Sequence, residues 1–90
     1  MRIDRFLFFI RLAKSRTLAQ HIILEGRVRI DGKRAEKASD EVRIGSVVAL
    51  PLHDRVRILR VLSLPSRRGP ANEARSCYEE LGIDGDKPAT

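Results

Sequence analysis

Apolar residues recur at Ile3, Phe6, Leu7 and Ile10, the i, i+3, i+4, i+7 spacing of one helical stripe. That pattern predicts a helix from Arg2 or Ile3 to about Leu12, with Arg5 and Arg11 off the stripe. A second apolar set follows at Leu18, Ala19, Ile22 and Ile23. Ser15 suits the N-cap of this helix, because its hydroxyl can accept a first-turn N–H. Gly26 suits the left-handed position that ends it. Two short helices joined by Ala13-Lys14 should therefore form a hairpin. Phe8 lies nearly opposite the first stripe, where two-layer packing does not require it. Either later chain covers it, or it offers a stacking face.

The period then changes. Val28 and Ile30 alternate with Arg27 and Arg29, the mark of a half-buried strand. Asp31-Gly32 signals a tight turn, and Lys33-Arg34-Ala35 returns as a second short strand. Arg43-Ile44-Gly45-Ser46 reads as a turn, and Val47-Val48-Ala49-Leu50 as a buried strand ending near Pro51. Arg55-Val56-Arg57-Ile58 alternates, but the parity slips at Leu59 and Val61, so a bulge or strand end is expected near Ile58 to Arg60. Pro65-Ser66-Arg67-Arg68-Gly69-Pro70 is a linker by composition. Ala71, Ala74, Tyr78 and Leu81 would line one side of a third helix stopped at Gly82.

The fold class is therefore α+β, with a two-helix hairpin on a small, mostly antiparallel sheet and a C-terminal helix. The expected division is a domain over 1–64 with its core motif over about 1–50, a linker and helix over 65–82, and a disordered tail over 83–90.

Composition narrows the class of partner. Ninety residues, 42% apolar and 33% charged, suit one soluble globular domain with a modest core. No run of eighteen apolar residues is present, so no membrane span is expected. Asp4 and Arg5 interrupt the apolar start and no small-residue cleavage site follows, so no signal peptide is read. The single cysteine, Cys77, allows no internal disulfide, and two separated histidines add no plausible zinc site. A cytoplasmic setting is expected.

Charge placement is more informative. Residues 1–37 hold ten lysines and arginines against four acids, whereas residues 38–90 hold eight of each. The whole net excess of +6 thus sits in the first 37 residues, and a polyanion is the simplest partner for it. The helix corner carries Arg11, Lys14, Ser15 and Arg16; the next strand carries Arg27 and Arg29; its turn adds Lys33 and Arg34. Such a spaced array suits the phosphates of a folded RNA, and the arginines add bidentate geometry. Ser15 and the first N–H groups of the second helix could also meet a phosphate.

The segment RIDRFLFFIRLAKSRTLAQHIILEGRVRIDGKRAEKAS resembles the S4 RNA-binding domain, or αL motif, over residues 1 to about 50. The shared features are a basic-apolar-Asp start, an Arg-Leu, a Ser-Arg opening helix two, Gly-Arg-Val, and an Asp-Gly-Lys turn. RRGPANEARSCYEELG and the aromatic-Leu-aromatic of Phe6-Leu7-Phe8 extend the resemblance to the heat-shock protein 15 family of stand-alone bacterial proteins. The resemblance implies binding to ribosomal RNA of the large subunit, and help in recycling subunits that carry a stalled nascent chain. Carried over, the RNA surface would comprise Arg2, Asp4, Arg5, Arg11, Lys14, Ser15, Arg16, Gln20, Arg27, Arg29, Asp31, Gly32, Lys33 and Arg34. Within it, Asp4 is expected to cap helix one or orient an arginine, and the charge of Asp31 disfavours direct phosphate contact.

S4-like domains often precede RNA-modifying catalytic domains, but only about forty residues follow the motif here. No carboxylate pair, nucleophile–base set or metal cluster is evident, so no catalytic residue, metal or cofactor is expected. His21 reads as a partly buried or surface histidine and His53 as a loop residue. A DNA-reading helix would need polar base readers, and helix two offers only Arg16, Gln20 and His21, so weak DNA binding at most is expected. A monomer is expected.

Overall fold

The computed structural model describes residues 1–52 and 54–83. Its elements are α1 (Ile3–Phe9), α2 (Arg16–Leu24), β1 (Arg29–Ile30), β2 (Lys33–Arg34), β3 (Val47–Leu52), β4 (Arg55–Val61), α3 (Ala71–Ser76) and β5 (Tyr78–Ile83). The strands form one antiparallel sheet in the order β2-β1-β3-β4-β5. Val48 and Leu50 of β3 and Leu59 and Val61 of β4 alternate into the core, where they join Ile3, Phe6, Leu7 and Ile10 from the first helical segment. The α+β expectation is met.

Helix α1 is shorter than its apolar stripe suggests. Its first amides are satisfied by main chain rather than a side-chain cap: Ile3 N donates to Asp40 O at 2.8 Å and Asp4 N to Ala38 O at 3.3 Å. Arg11 ends it by entering the left-handed region at φ +66°, and the amides of Leu12 and Ala13 both turn back to Leu7 O at 3.1 Å. Helix α2 starts as the sequence indicates, with Ser15 Oγ accepting from Leu18 N at 3.0 Å. Its buried stripe is narrower than expected. Ala19 and Ile23 are buried, but Leu18 remains 44% exposed because the short helix meets α1 along one edge.

Gly26 closes α2 at φ +75°, with its amide on Ile23 O and that of Arg27 on Ile22 O. The Arg34 side chain crosses this glycine, and a β-carbon there would lie 3.1 Å from Arg34 Cδ. Asp31 and Gly32 both take positive φ, +52° and +82°, as a type I′ hairpin turn demands. This turn sets the register Arg29↔Arg34 and Ile30↔Lys33.

The third helix is shorter than its apolar spacing predicts. It stops at Ser76 with Cys77 as its C-cap, and Tyr78–Ile83 is a strand, not a continued helix. Ala71 is exposed instead of lining an apolar side. The open edge of β4 explains the change. Strand β5 pairs with it from Val61↔Tyr78, Cys77 O accepts from Leu62 N at 2.7 Å, and Glu79 and Glu80 meet Arg60 and Arg57 across the pair. The end of the 65–82 segment, from Tyr78, is thus built into the sheet, and Ile83, expected in a disordered tail, ends β5. The register shift between Ile58 and Leu59 falls where the parity slip placed a bulge. Strand β3 runs on through Pro51 to Leu52, past the expected end. His53 and the remaining tail, 84–90, lie outside the described residues.

Candidate nucleic-acid interface

Asp4 organises the N-terminal basic residues. Its side chain is fully buried and accepts five hydrogen bonds. Arg2 grips it bidentately through Nε and Nη2, each at 3.1 Å. Arg5 N donates at 2.8 Å, Gln20 Nε2 at 3.0 Å and Arg16 Nη2 at 3.4 Å. One carboxylate therefore ties the start of α1 to the first turns of α2. Asp4 is not the N-cap of α1, which is Arg2, but it does orient two arginines.

The electrostatics follow from that geometry. Burial pushes the Asp4 carboxyl up, but the hydrogen bonds of Gln20, Arg2 and the Arg5 amide, with the Arg2 charge, outweigh it and hold the pKa below 3.8. The arginine side chains stay 42% and 41% exposed, so their outer edges face solvent while their inner edges are pinned. Nε of Arg16 is buried and finds no acceptor among the described residues. A lost hydrogen bond of that kind costs about 1–3 kcal/mol, which the fold accepts in holding the guanidinium there. Gln20 is committed to Asp4 and acts as a brace.

The other expected residues divide into two groups, one at each end of α2. Arg11, Lys14 and Ser15 lie exposed around the helix corner, and Arg5 lies exposed in the first turn of α1. Arg27, Arg29, Lys33 and Arg34 lie exposed beyond the C-terminus of α2, about 13 Å away along a nine-residue helix. Arg27 pairs with Glu25 at 3.5 Å, but both are more than half exposed, so the pair is weak. Asp31 is directed into the sheet: its Oδ1 accepts from Val47 N at 2.9 Å, and its own amide donates to Val47 O at 2.7 Å. That anchors the hairpin to β3 and explains an acid in a basic surface. Gly32 serves the turn conformation. His21 is exposed on α2.

Arg11 points elsewhere than expected. Its Nη1 donates to Gly69 O at 2.9 Å, and Arg68 Nε reciprocates by donating to Phe8 O at 3.1 Å. The Arg68 guanidinium also lies over the Phe8 ring, 4.8 Å from its centroid. Later chain thus covers Phe8. Arg68 lies in the neutral half of the chain, so charge placement does not point to it; Phe8, opposite the apolar stripe of its own helix, is the sequence signal of this contact.

Among the described residues, no group of three His, Cys, Asp or Glu could hold a metal ion, and no helix is long and apolar enough to cross a membrane.

Comparison with known proteins places this architecture. The model of the S4 domain matches residues 1–48, which contain α1, α2, the hairpin and every residue of the expected surface. The chain belongs to the S4 domain family. It is similar to Heat shock protein 15 of Escherichia coli strain K12, with 34% identity over 87 residues, 97% of this chain and 65% of that protein. The match thus spans just under two thirds of that relative's length. It is also similar to the RQC P-site tRNA stabilizing factor of Bacillus subtilis strain 168, with 38% identity over 64 residues, 71% of this chain and 73% of that one. The trimeric structure of Vibrio cholerae Heat Shock Protein 15 superposes with a TM-score of 0.85 and 31% identity, covering 90% of this chain and 81% of that one. The likeness therefore continues past the S4 domain into β4, α3 and β5.

Proposed function

We propose that this S4 domain protein binds structured RNA, in particular ribosomal RNA of the large subunit, through one basic surface at the two ends of α2. The observation that carries the reading is the Asp4 centre, which fixes Arg2 and Arg16 at 3.1 and 3.4 Å while leaving each about two fifths exposed. Guanidiniums held in advance lose less freedom on meeting a phosphate than mobile ones. The hairpin arginines and Lys33 extend the surface, and the neutral remainder of the chain supplies the sheet that supports it. One copy carries the whole surface. The protein acts in this reading as a non-catalytic binding module of the cytoplasm.

The finer role is assistance in recycling large subunits that carry a stalled nascent chain. Similarity to Heat shock protein 15 and to a factor named for stabilising P-site tRNA supports it.

A titration with large-subunit ribosomal RNA, competed by a random DNA duplex, tests the binding. The RNA is expected to be displaced only weakly by the duplex; equal competition would overturn the RNA reading. The finer role predicts more protein co-sedimenting with large subunits that retain peptidyl-tRNA than with empty ones. Equal amounts would leave only a general RNA-binding module.

A further inference from the structure

We propose that Arg68, outside the S4 match of residues 1–48, is an RNA-phosphate contact that the fold adds to the basic surface. The inference rests on the RNA-binding reading above. Of the seven arginines in the neutral half of the chain, Arg57, Arg60 and Arg67 each face a carboxylate, from Glu80, Glu79 and Glu73, while the side chains of Arg43, Arg55 and Arg75 make no hydrogen bond or ion pair among the described residues. Arg68 faces a ring and a carbonyl instead. Its charge is therefore not neutralised by an acid, and its position is not left to chance.

Three contacts hold it. The guanidinium stacks at 4.8 Å on Phe8, its Nε donates to Phe8 O at 3.1 Å, and Arg11 Nη1 fastens the next residue through Gly69 O at 2.9 Å. Phe8 O is an end carbonyl of α1 and also accepts from Arg11 N at 3.1 Å. A cation there is favoured by the negative end of the helix. Sequence supplies no basic residue in the last turn of α1, so the linker provides it in space.

That accounts for one donor of the fork. The two terminal amines of Arg68 make no hydrogen bond among the described residues. They remain as a parallel pair of donors, the arrangement that takes a phosphate bidentately. Arg11 Nη1 meets Gly69 O at 2.9 Å, so Arg68 sits next to the Arg11 end of the basic helix corner. Phe8 thus serves as the platform that orients a cation, rather than as a stacking face for a base.

The test uses the full chain and purified large-subunit ribosomal RNA, titrated across salt concentrations. R68A is expected to weaken binding about tenfold, and to reduce the salt slope by roughly 0.7–0.9 because one fewer counterion is released. R68K keeps the charge, so it should keep the slope but lose affinity with the fork geometry. F8L should likewise keep the slope. R43A removes the same charge from an exposed turn and should bind like wild type. Wild-type affinity and slope in R68A, with K14A and R16A weakened, would overturn this inference alone. So would an R68A that loses melting temperature and affinity but keeps the wild-type slope, or an R43A as damaged as R68A. Failure of the wild type to bind the RNA would overturn both this and the reading it rests on.

Discussion

Asp4 shows how a single acid can serve a basic surface. A carboxylate with no solvent exposure and five donors around it is stable only while it is ionised. Its folded pKa lies below the ordinary 3.8, so its contribution to stability is present above that value and is lost as pH falls through the lower folded pKa. D4N is expected to cost about 1–3 kcal/mol at neutral pH, since an NH2 group replaces Oδ2, the oxygen that Arg2, Arg16 and Gln20 share, and the charge is lost. Thermal melts of both proteins across pH 2–7 check this. The gap should be full at neutral pH and close as the wild-type carboxyl protonates. A gap that persists unchanged to the lowest pH would sink this account. RNA affinity should fall as well, because two guanidiniums lose their fixed positions.

Among the elements, β5 has the largest structural effect for its length. It completes the sheet, turns the edge of β4 into an interior ladder, and brings Tyr78 beside the core that Ala74 and Cys77 close from α3. A chain cut after Ser63 keeps all of the S4 match and loses α3 and β5. It should be less stable by about 2 kcal/mol or more, since Leu59 and Val61 lose cover. For a domain of this size that lowers the melting temperature by roughly 8–16 °C or more. An unchanged melting temperature would show instead that residues 1–63 are self-sufficient and that the last strand is an accessory. The same cut removes Arg68 and so should also weaken RNA binding.

At the scale of the whole molecule, charge and support are separated. The basic excess lies on the helices and hairpin of the first 37 residues, while Arg57 and Arg60 of β4 pair with glutamates of β5. Replacing Arg11, Lys14 and Arg16 together by Ala should weaken RNA binding strongly and flatten its salt dependence by roughly 0.7–0.9 per lost contact. Binding isotherms at several salt concentrations read this directly. An unchanged slope in a folded variant would remove the helix corner from the interface. Because Arg11 also holds Gly69, that variant should loosen the linker, and K14A, whose side chain makes no hydrogen bond among the described residues, separates the two effects.

Much of this was legible along the chain, because it is decided locally. Periodicity located both helices and the short hairpin, Ser15 and Gly26 marked the limits of α2, and the Asp31-Gly32 pair set the turn, since caps and tight turns depend on a few neighbouring φ, ψ angles. The charge asymmetry that points to a polyanion is a property of sequence alone. What the chain could not show depends on contacts between distant residues. Tyr78–Ile83 carries an apolar spacing compatible with a helix, and only the open edge of β4 makes it a strand. The meeting of Asp4 with Gln20, and of Arg68 with Phe8, spans 16 and 60 positions, so no local pattern encodes it. Sequence determined that the N-terminal third is basic, helical and turned; tertiary packing decided which of its charges are pinned, that Gln20 braces them, and that a late arginine packs against α1.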